Sequence, residues 1–156
     1  MDEQRRRTLV ASYKAGYDTV ADALAGITER ELDARPAPGK WSAREIVHHL
    51  ADSEMTAAVR LRLLLAEASP AIRGYDQDEF ARRLRYDRPI AASLAAFRAA
   101  RATTAELLDR MSEADWGRAG THSEIGHYPV TRWLEIYAVH AHHHAEQIRA
   151  VRASAQ

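Results

Sequence analysis

Four long segments of this chain place apolar residues three and four positions apart, and this spacing constrains the fold more than any other feature. The segments cover residues 4–25, 42–67, 90–111 and 129–152, and runs of β-branched residues are absent. Such spacing gives each segment one apolar face at the helical period. Because each face must be buried against another, the sequence predicts an all-α four-helix bundle. The 156 residues fit a single domain over 1–156.

The boundaries of these helices follow from local signals. Ser42 can cap the second helix, with Glu45 three residues later in capping-box spacing. Residues 73–87 form a polar excursion, predicted to be a crossing connection after the second helix with one short helix near 78–84. Residues 117–128 are rich in Gly, Ser and His and are predicted to form a loop.

Composition and charge exclude several classes of protein. The 22 basic and 22 acidic residues cancel, and no dense basic stripe is present, so a nucleic-acid partner is not expected. No segment approaches the ~18 consecutive apolar residues of a membrane span, so we expect a cytoplasmic protein without a membrane partner. The chain has eight histidines and no cysteine, so a metal ion would have to be held by imidazole and carboxylate.

Four of the eight histidines lie on the fourth helix. At 100° per residue, His140 and His144 fall about 40° apart on the apolar face, whereas His142 points toward solvent and His143 lies between the faces. Two buried imidazoles cost free energy unless their ring nitrogens find partners. A shared metal ion would satisfy both, and hydrogen bonds to Tyr, Ser or backbone would do so equally well. The fourth helix alone leaves both alternatives open.

The second helix favours the alternative in which the histidines bind a shared metal ion. His49 lies beside the apolar face, in line with Ser53, Thr56 and Arg60, whereas His48 points to the opposite, outer side. A polar stripe of this kind, facing an inward histidine pair, predicts a metal site inside the bundle. Three imidazoles would leave further coordination positions for water or substrate, as in catalytic sites.

A di-iron carboxylate site is the alternative that the same helix suggests. Glu45-Ile-Val-His48 has the Glu-x-x-His spacing of such bundles, but the site needs two of these motifs. Glu124-Ile-Gly-His127 matches only in a glycine-containing segment outside the helices. The sequence therefore disfavours this alternative.

Two motifs together carry a resemblance to a known family. They are Trp41-Ser42 with Glu45-Ile-Val-His48-His49-Leu-Ala-Asp52-Ser53-Glu54, and Tyr137-Ala-x-His140-x-x-His143-His144-x-x-Gln147-Ile148. Over residues 35–148 the chain resembles the DinB superfamily and, within it, the YfiT-like metal-dependent hydrolases. Members often carry His, Trp and His at the positions of Glu54, Val139 and Gln147, so the chain departs from the pattern beside the expected ligands.

The resemblance implies a four-helix bundle, often a homodimer, that holds one divalent metal on His49, His140 and His144. These are the three histidines that the helical faces select. Nickel or zinc is the expected metal, with manganese or iron as alternatives. Relatives include S-transferases that use low-molecular-weight thiols of the bacillithiol or mycothiol type, and hydrolases.

Three functions remain open at this point. The first is thiol transfer to an electrophilic small-molecule substrate, with the sulfur supplied by the co-substrate because the chain has no cysteine. The second is metal-dependent hydrolysis, and the third is a metal- or ligand-binding bundle without turnover.

Four further residues are candidates around the metal. Asp52, one turn from His49, and Gln147, three residues after His144, are predicted to orient the ligands or to act in acid–base catalysis. Arg60 is predicted either to bind a substrate carboxylate or to pair with an acidic residue. His127, in the segment before the fourth helix, is a candidate for substrate binding at the mouth of the bundle.

Overall fold

The computed structural model describes residues 1–155. In chain order its elements are α1 (Glu3–Leu24), α2 (Glu29–Asp33), α3 (Ala43–Ala66), β1 (Ala71–Ile72), α4 (Gln77–Arg83), α5 (Ala91–Leu108), α6 (Glu113–Trp116), β2 (Ala119–His122), β3 (Gly126–Pro129) and α7 (Val130–Ser154). Among these residues, no helix combines the length and the apolar character needed to cross a membrane.

The four long helices α1, α3, α5 and α7 form the predicted bundle. Helix α1 packs against α5 and α7, and α3 packs against the same two helices. Helices α1 and α3, which succeed one another among the long helices, therefore stand on opposite corners. The predicted helix bounds agree with the structure to within a few residues, and α4 is the short helix expected in the polar excursion.

Helix α3 begins where its sequence signal predicts. The hydroxyl of Ser42 accepts a hydrogen bond from the Glu45 backbone N–H at 3.2 Å, and the Glu45 carboxylate accepts one from the Ser42 N–H at 2.8 Å. These two bonds satisfy N–H groups that have no partner within the helix. The start of the helix that carries His49 is thereby fixed.

The segment predicted to be a loop, residues 117–128, instead contains most of a β-hairpin. Strands β2 and β3 pair antiparallel, with Gly120 opposite Tyr128 and Thr121 opposite His127, and β1 adds a parallel strand beside β2. Gly120 permits this contact, since a Cβ built there would lie 2.5 Å from the carbonyl oxygen of Pro70. Strands of two to four residues are too short for an alternating hydrophobic pattern to reveal.

The core consists of two apolar clusters with a buried polar layer between them. One cluster is built around Phe97 and Ile148, and the other around Leu61 and Trp133. Between them lie the buried polar residues of the bundle centre, Ser53, Glu54, Arg101 and Thr104.

Arg101 connects all four long helices at this level. Its guanidinium forms an ion pair with Glu54 of α3, and it donates to the backbone carbonyl oxygens of Tyr13 in α1 (2.7 Å) and Tyr137 in α7 (2.9 Å). The Tyr13 hydroxyl donates to the same Glu54 carboxylate. A Cβ built on Gly16 would lie 2.7 Å from the Arg101 Nη2 atom, so α1 requires glycine where the guanidinium passes.

Replacing Arg101 with Met is expected to lower the free energy of unfolding by about 3–5 kcal/mol, because the Glu54 carboxylate would remain buried without its cation. Urea unfolding followed by circular dichroism measures the change. Arg98→Met, on the exposed side of the same helix, is the matched control and is expected to cost about 1 kcal/mol or less. Equal losses in the two variants would contradict the role assigned to Arg101.

Candidate metal centre

The structure brings together the three histidines selected from the sequence. His49 comes from α3, and His140 and His144 come from successive turns of α7. The Nε2 atom of His140 lies 3.3 Å from that of His49 and 3.2 Å from that of His144. One nitrogen from each of the three rings lies within 4.8 Å of the others.

Two of the three nitrogen separations fit a tetrahedral metal ion. Metal–nitrogen bonds of about 2.0–2.1 Å place tetrahedral ligand atoms roughly 3.3–3.4 Å from one another, close to the 3.3 and 3.2 Å between His140 and the other two histidines. The rings of His140 and His144 are inclined at 82°, and that of His49 is inclined at 64° to both. The three rings therefore meet edge to face and are not stacked.

The three imidazoles are held in the neutral form that binds metals. Burial lowers the pKa of His49 to about 3, that of His140 to about 2 and that of His144 to about 4. A metal ion and a proton compete for the same nitrogen, so rings that carry no proton at neutral pH are ready to act as ligands.

Gln147 orients one of these rings. Its side-chain oxygen accepts a hydrogen bond from the Nδ1 atom of His144 at 2.8 Å, which places the proton on Nδ1 and directs the Nε2 lone pair toward the other two histidines. The ring of Trp41 packs 4.8 Å from that of His49. The predicted contribution of Gln147 to catalysis remains a prediction, but its contact with His144 is present.

Asp52 has a different partner from the one expected. Its carboxylate accepts a hydrogen bond from the Tyr86 hydroxyl at 2.6 Å. Burial raises the pKa of Tyr86, which keeps its hydroxyl protonated and able to donate. This hydrogen bond holds the segment that follows α4 against α3. An acid–base role for Asp52 stays a prediction.

Two histidines predicted to point outward do not. His48 is fully buried: its Nε2 donates to the carbonyl oxygen of Arg88 (2.9 Å) and its Nδ1 accepts from the Ser93 hydroxyl (2.8 Å). His142 is half-buried and donates to the carbonyl oxygen of Ser12 at 2.9 Å. The apolar period identifies one buried face, whereas α3 packs against α5 on a second side.

Arg60 lies in a second polar cluster, farther along the same seam between α3 and α7. It donates to the Tyr137 hydroxyl at 3.0 Å, and the Tyr137 ring lies 6.0 Å from that of His140.

His127 is exposed on β3, whereas the next residue, Tyr128, is buried. The sequence prediction singled out His127 and not Tyr128, because strand alternation was not recognised there.

A groove opens beside the three histidines. It has a volume of about 550 Å³ and reaches His144 and Gln147, with Trp41, Ile46 and Val151 among its apolar lining residues. Lys40 supplies a cation at this groove. A small organic molecule could lie there in contact with the edge of the histidine cluster.

Fold and site together define a four-helix bundle with a candidate three-histidine metal site. The family model of the DinB superfamily matches residues 12–148, and the chain belongs to this superfamily.

Proteins of similar sequence carry names that are consistent with a metal site. The chain is 35% identical to a protein of Oceanobacillus iheyensis named "Putative metal-dependent hydrolase", over 80% of this chain and 73% of that protein. It is 32% identical to a protein of the same description from Bacillus licheniformis, over 97% of this chain and 87% of that protein.

A solved structure supports the fold. YfiT from Bacillus subtilis, described as "a probable metal-dependent hydrolase with an unusual four-helix bundle topology", superimposes with a TM-score of 0.91. The two chains are 25% identical, and the match covers 98% of this chain and 89% of that one.

Gln147→Leu is expected to weaken metal binding by roughly 10–100-fold, because the Nδ1–H of His144 would lose its acceptor. Competition with a chromophoric chelator measures the dissociation constant. Glu146→Leu, at an exposed position one residue earlier, is the matched control and should bind metal as the parent does. Unchanged affinity in Gln147→Leu would show that this hydrogen bond does not orient the ligand.

Proposed function

We propose that this protein is a metal-dependent enzyme that holds one divalent ion on His49, His140 and His144. The observation that carries the proposal is the convergence of three neutral ring nitrogens, two pairs of them 3.2 and 3.3 Å apart. The names of the relatives, which describe metal-dependent hydrolases, support it. Imidazole ligands suit nickel and zinc, the metals we favour, and iron; manganese is a further alternative.

The chemistry expected of such a centre follows from its charge. A divalent metal held by these three neutral ligands would keep its full charge and would make a water or thiol at the site more acidic and more nucleophilic. The chain's own contribution is to present the three rings with their protons directed away, as Gln147 does for His144. The groove beside His144 would hold the electrophilic substrate against this centre.

Within this class we favour transfer of a low-molecular-weight thiol of the bacillithiol or mycothiol type to an electrophilic small molecule. The absence of cysteine requires the sulfur to come from the co-substrate. Hydrolysis is the second candidate, and the names of the relatives, which describe metal-dependent hydrolases, favour it. A homodimer and a cytoplasmic location remain predictions, and light scattering of the purified protein tests the first.

Protein purified without a histidine tag is expected to contain about one divalent ion per chain, measured by inductively coupled plasma mass spectrometry. His144→Ala should lose this ion because one of three ligands is gone. His143→Ala is the matched control, since His143 is exposed and lies outside the cluster. Absence of the ion from the parent protein, even after exposure to nickel or zinc, would contradict the metal site.

The reaction is tested on metal-loaded protein with two panels of substrates. Thiol transfer predicts consumption of an electrophile such as a haloaromatic compound only when bacillithiol or mycothiol is added, and loss of this rate in His144→Ala. If neither thiol nor glutathione raises the rate while esters or amides are cleaved in a metal-dependent way, the protein is a hydrolase. Inactivity in both panels would indicate metal or ligand binding without turnover.

A further inference from the structure

We propose that Arg60 and Tyr75 form a binding site for a small organic carboxylate, separate from the histidine cluster. The site lies where the polar seam between α3 and α7 meets the segment after β1. The proposal does not depend on the metal centre or on the reaction proposed for it.

Arg60 is a buried cation without an acidic partner. It is 9% exposed, and it donates to the Tyr137 hydroxyl at 3.0 Å and to the carbonyl oxygen of Arg73 at 2.6 Å. Within residues 1–155, no carboxylate lies within 4.0 Å of its guanidinium. The other buried arginines differ, because Arg101 pairs with Glu54 and Arg44 pairs with two acidic residues. Burying an unpaired charge costs free energy, so a bound anion is expected beside Arg60.

Two donors at this place lack hydrogen-bond partners. In the part of the chain that the structure describes, the buried side-chain atoms without a partner are the Nε of Arg60 and the hydroxyl oxygen of Tyr75. They belong to neighbouring groups, since the guanidinium carbon of Arg60 lies 5.8 Å from the centre of the Tyr75 ring. Unsatisfied buried groups are few in folded proteins, and two in one cluster indicate one common acceptor.

The groups around Arg60 add no negative charge. Burial raises the pKa of Tyr75, Tyr128 and Tyr137, so these phenols remain neutral at pH 7. Burial, together with the charge of Arg60, lowers the pKa of His122, which therefore remains neutral too. The cluster thus has a net positive charge and several hydroxyl donors.

The number of free donors favours a carboxylate. Its two oxygens can accept from two donors at once, here the Arg60 Nε–H and the Tyr75 hydroxyl. A cavity of about 510 Å³ reaches Tyr75, with Thr56, Arg73 and Phe80 among its lining residues. Asp76 also lines this cavity, and its charge disfavours a polyanion such as phosphate. A monoanionic organic acid therefore fits best.

Titration calorimetry with sodium acetate tests the proposal, on metal-loaded protein and again after metal removal because acetate also binds metal ions. We expect one acetate per chain at this site in both forms, with a dissociation constant on the order of 1 mM, and any further acetate held by the metal should be lost when the metal is removed. Arg60→Gln should abolish this binding. Arg62→Gln, two residues along the same helix, is the matched control and should bind acetate as the parent does.

Tyr75→Phe distinguishes ligand binding from a structural role. It should weaken acetate binding about tenfold or more, because a hydrogen bond to a charged group is lost. Its thermal unfolding midpoint without acetate should change little, since the hydroxyl makes no hydrogen bond of good geometry in the folded protein. This variant also keeps the test decisive if Arg60→Gln fails to fold.

Three results would overturn the proposal. The first is absence of acetate binding to the parent protein. The second is tighter binding of inorganic phosphate than of acetate, which would contradict the carboxylate assignment. The third is a lower unfolding midpoint of Tyr75→Phe with unchanged acetate binding, which would mean that a tightly held water serves both donors.

Discussion

The buried ion pair between Glu54 and Arg101 is the interaction on which the rest of the structure depends. The Arg101 guanidinium donates hydrogen bonds to the backbone of α1 and α7 and pairs with the Glu54 carboxylate on α3. These contacts lie at one height along the bundle and fix the distances between the helices there. The candidate metal ligands lie next to this level, with His49 five residues before Glu54. Because one guanidinium holds both α3 and α7, the spacing of the two helices that carry the candidate ligands depends on a contact that includes none of those ligands.

The helical period accounts for what could be predicted from the sequence. It fixes the relative directions of side chains on one helix, and four apolar faces in one small chain have few arrangements other than a bundle. The prediction of a four-helix bundle was therefore confirmed. The same argument selected His49, His140 and His144, which the structure places together, because two inward histidines on one helix need a facing partner on another.

The features that could not be predicted from the sequence depend on tertiary contacts, and the helical period contains no information about these contacts. His48 was wrongly assigned to the surface because α3 is buried on two sides, and a hydroxyl and a carbonyl oxygen satisfy its ring. The hairpin was missed because its strands are shorter than the pattern that would reveal them. The lack of an acidic partner for Arg60 is a property of several chain segments together, and sequence spacing gives no sign of it.

Trp41 affects both the shape of the groove and the position of His49. Its ring packs against the ring of His49, and the same side chain lines the groove beside His144. A substitution that reshapes the groove for another molecule would therefore also move a candidate ligand. Selectivity in the groove and the geometry of the histidine cluster cannot change independently at this residue, so adaptation to new molecules is freer at Ala150, an exposed residue of the groove lining.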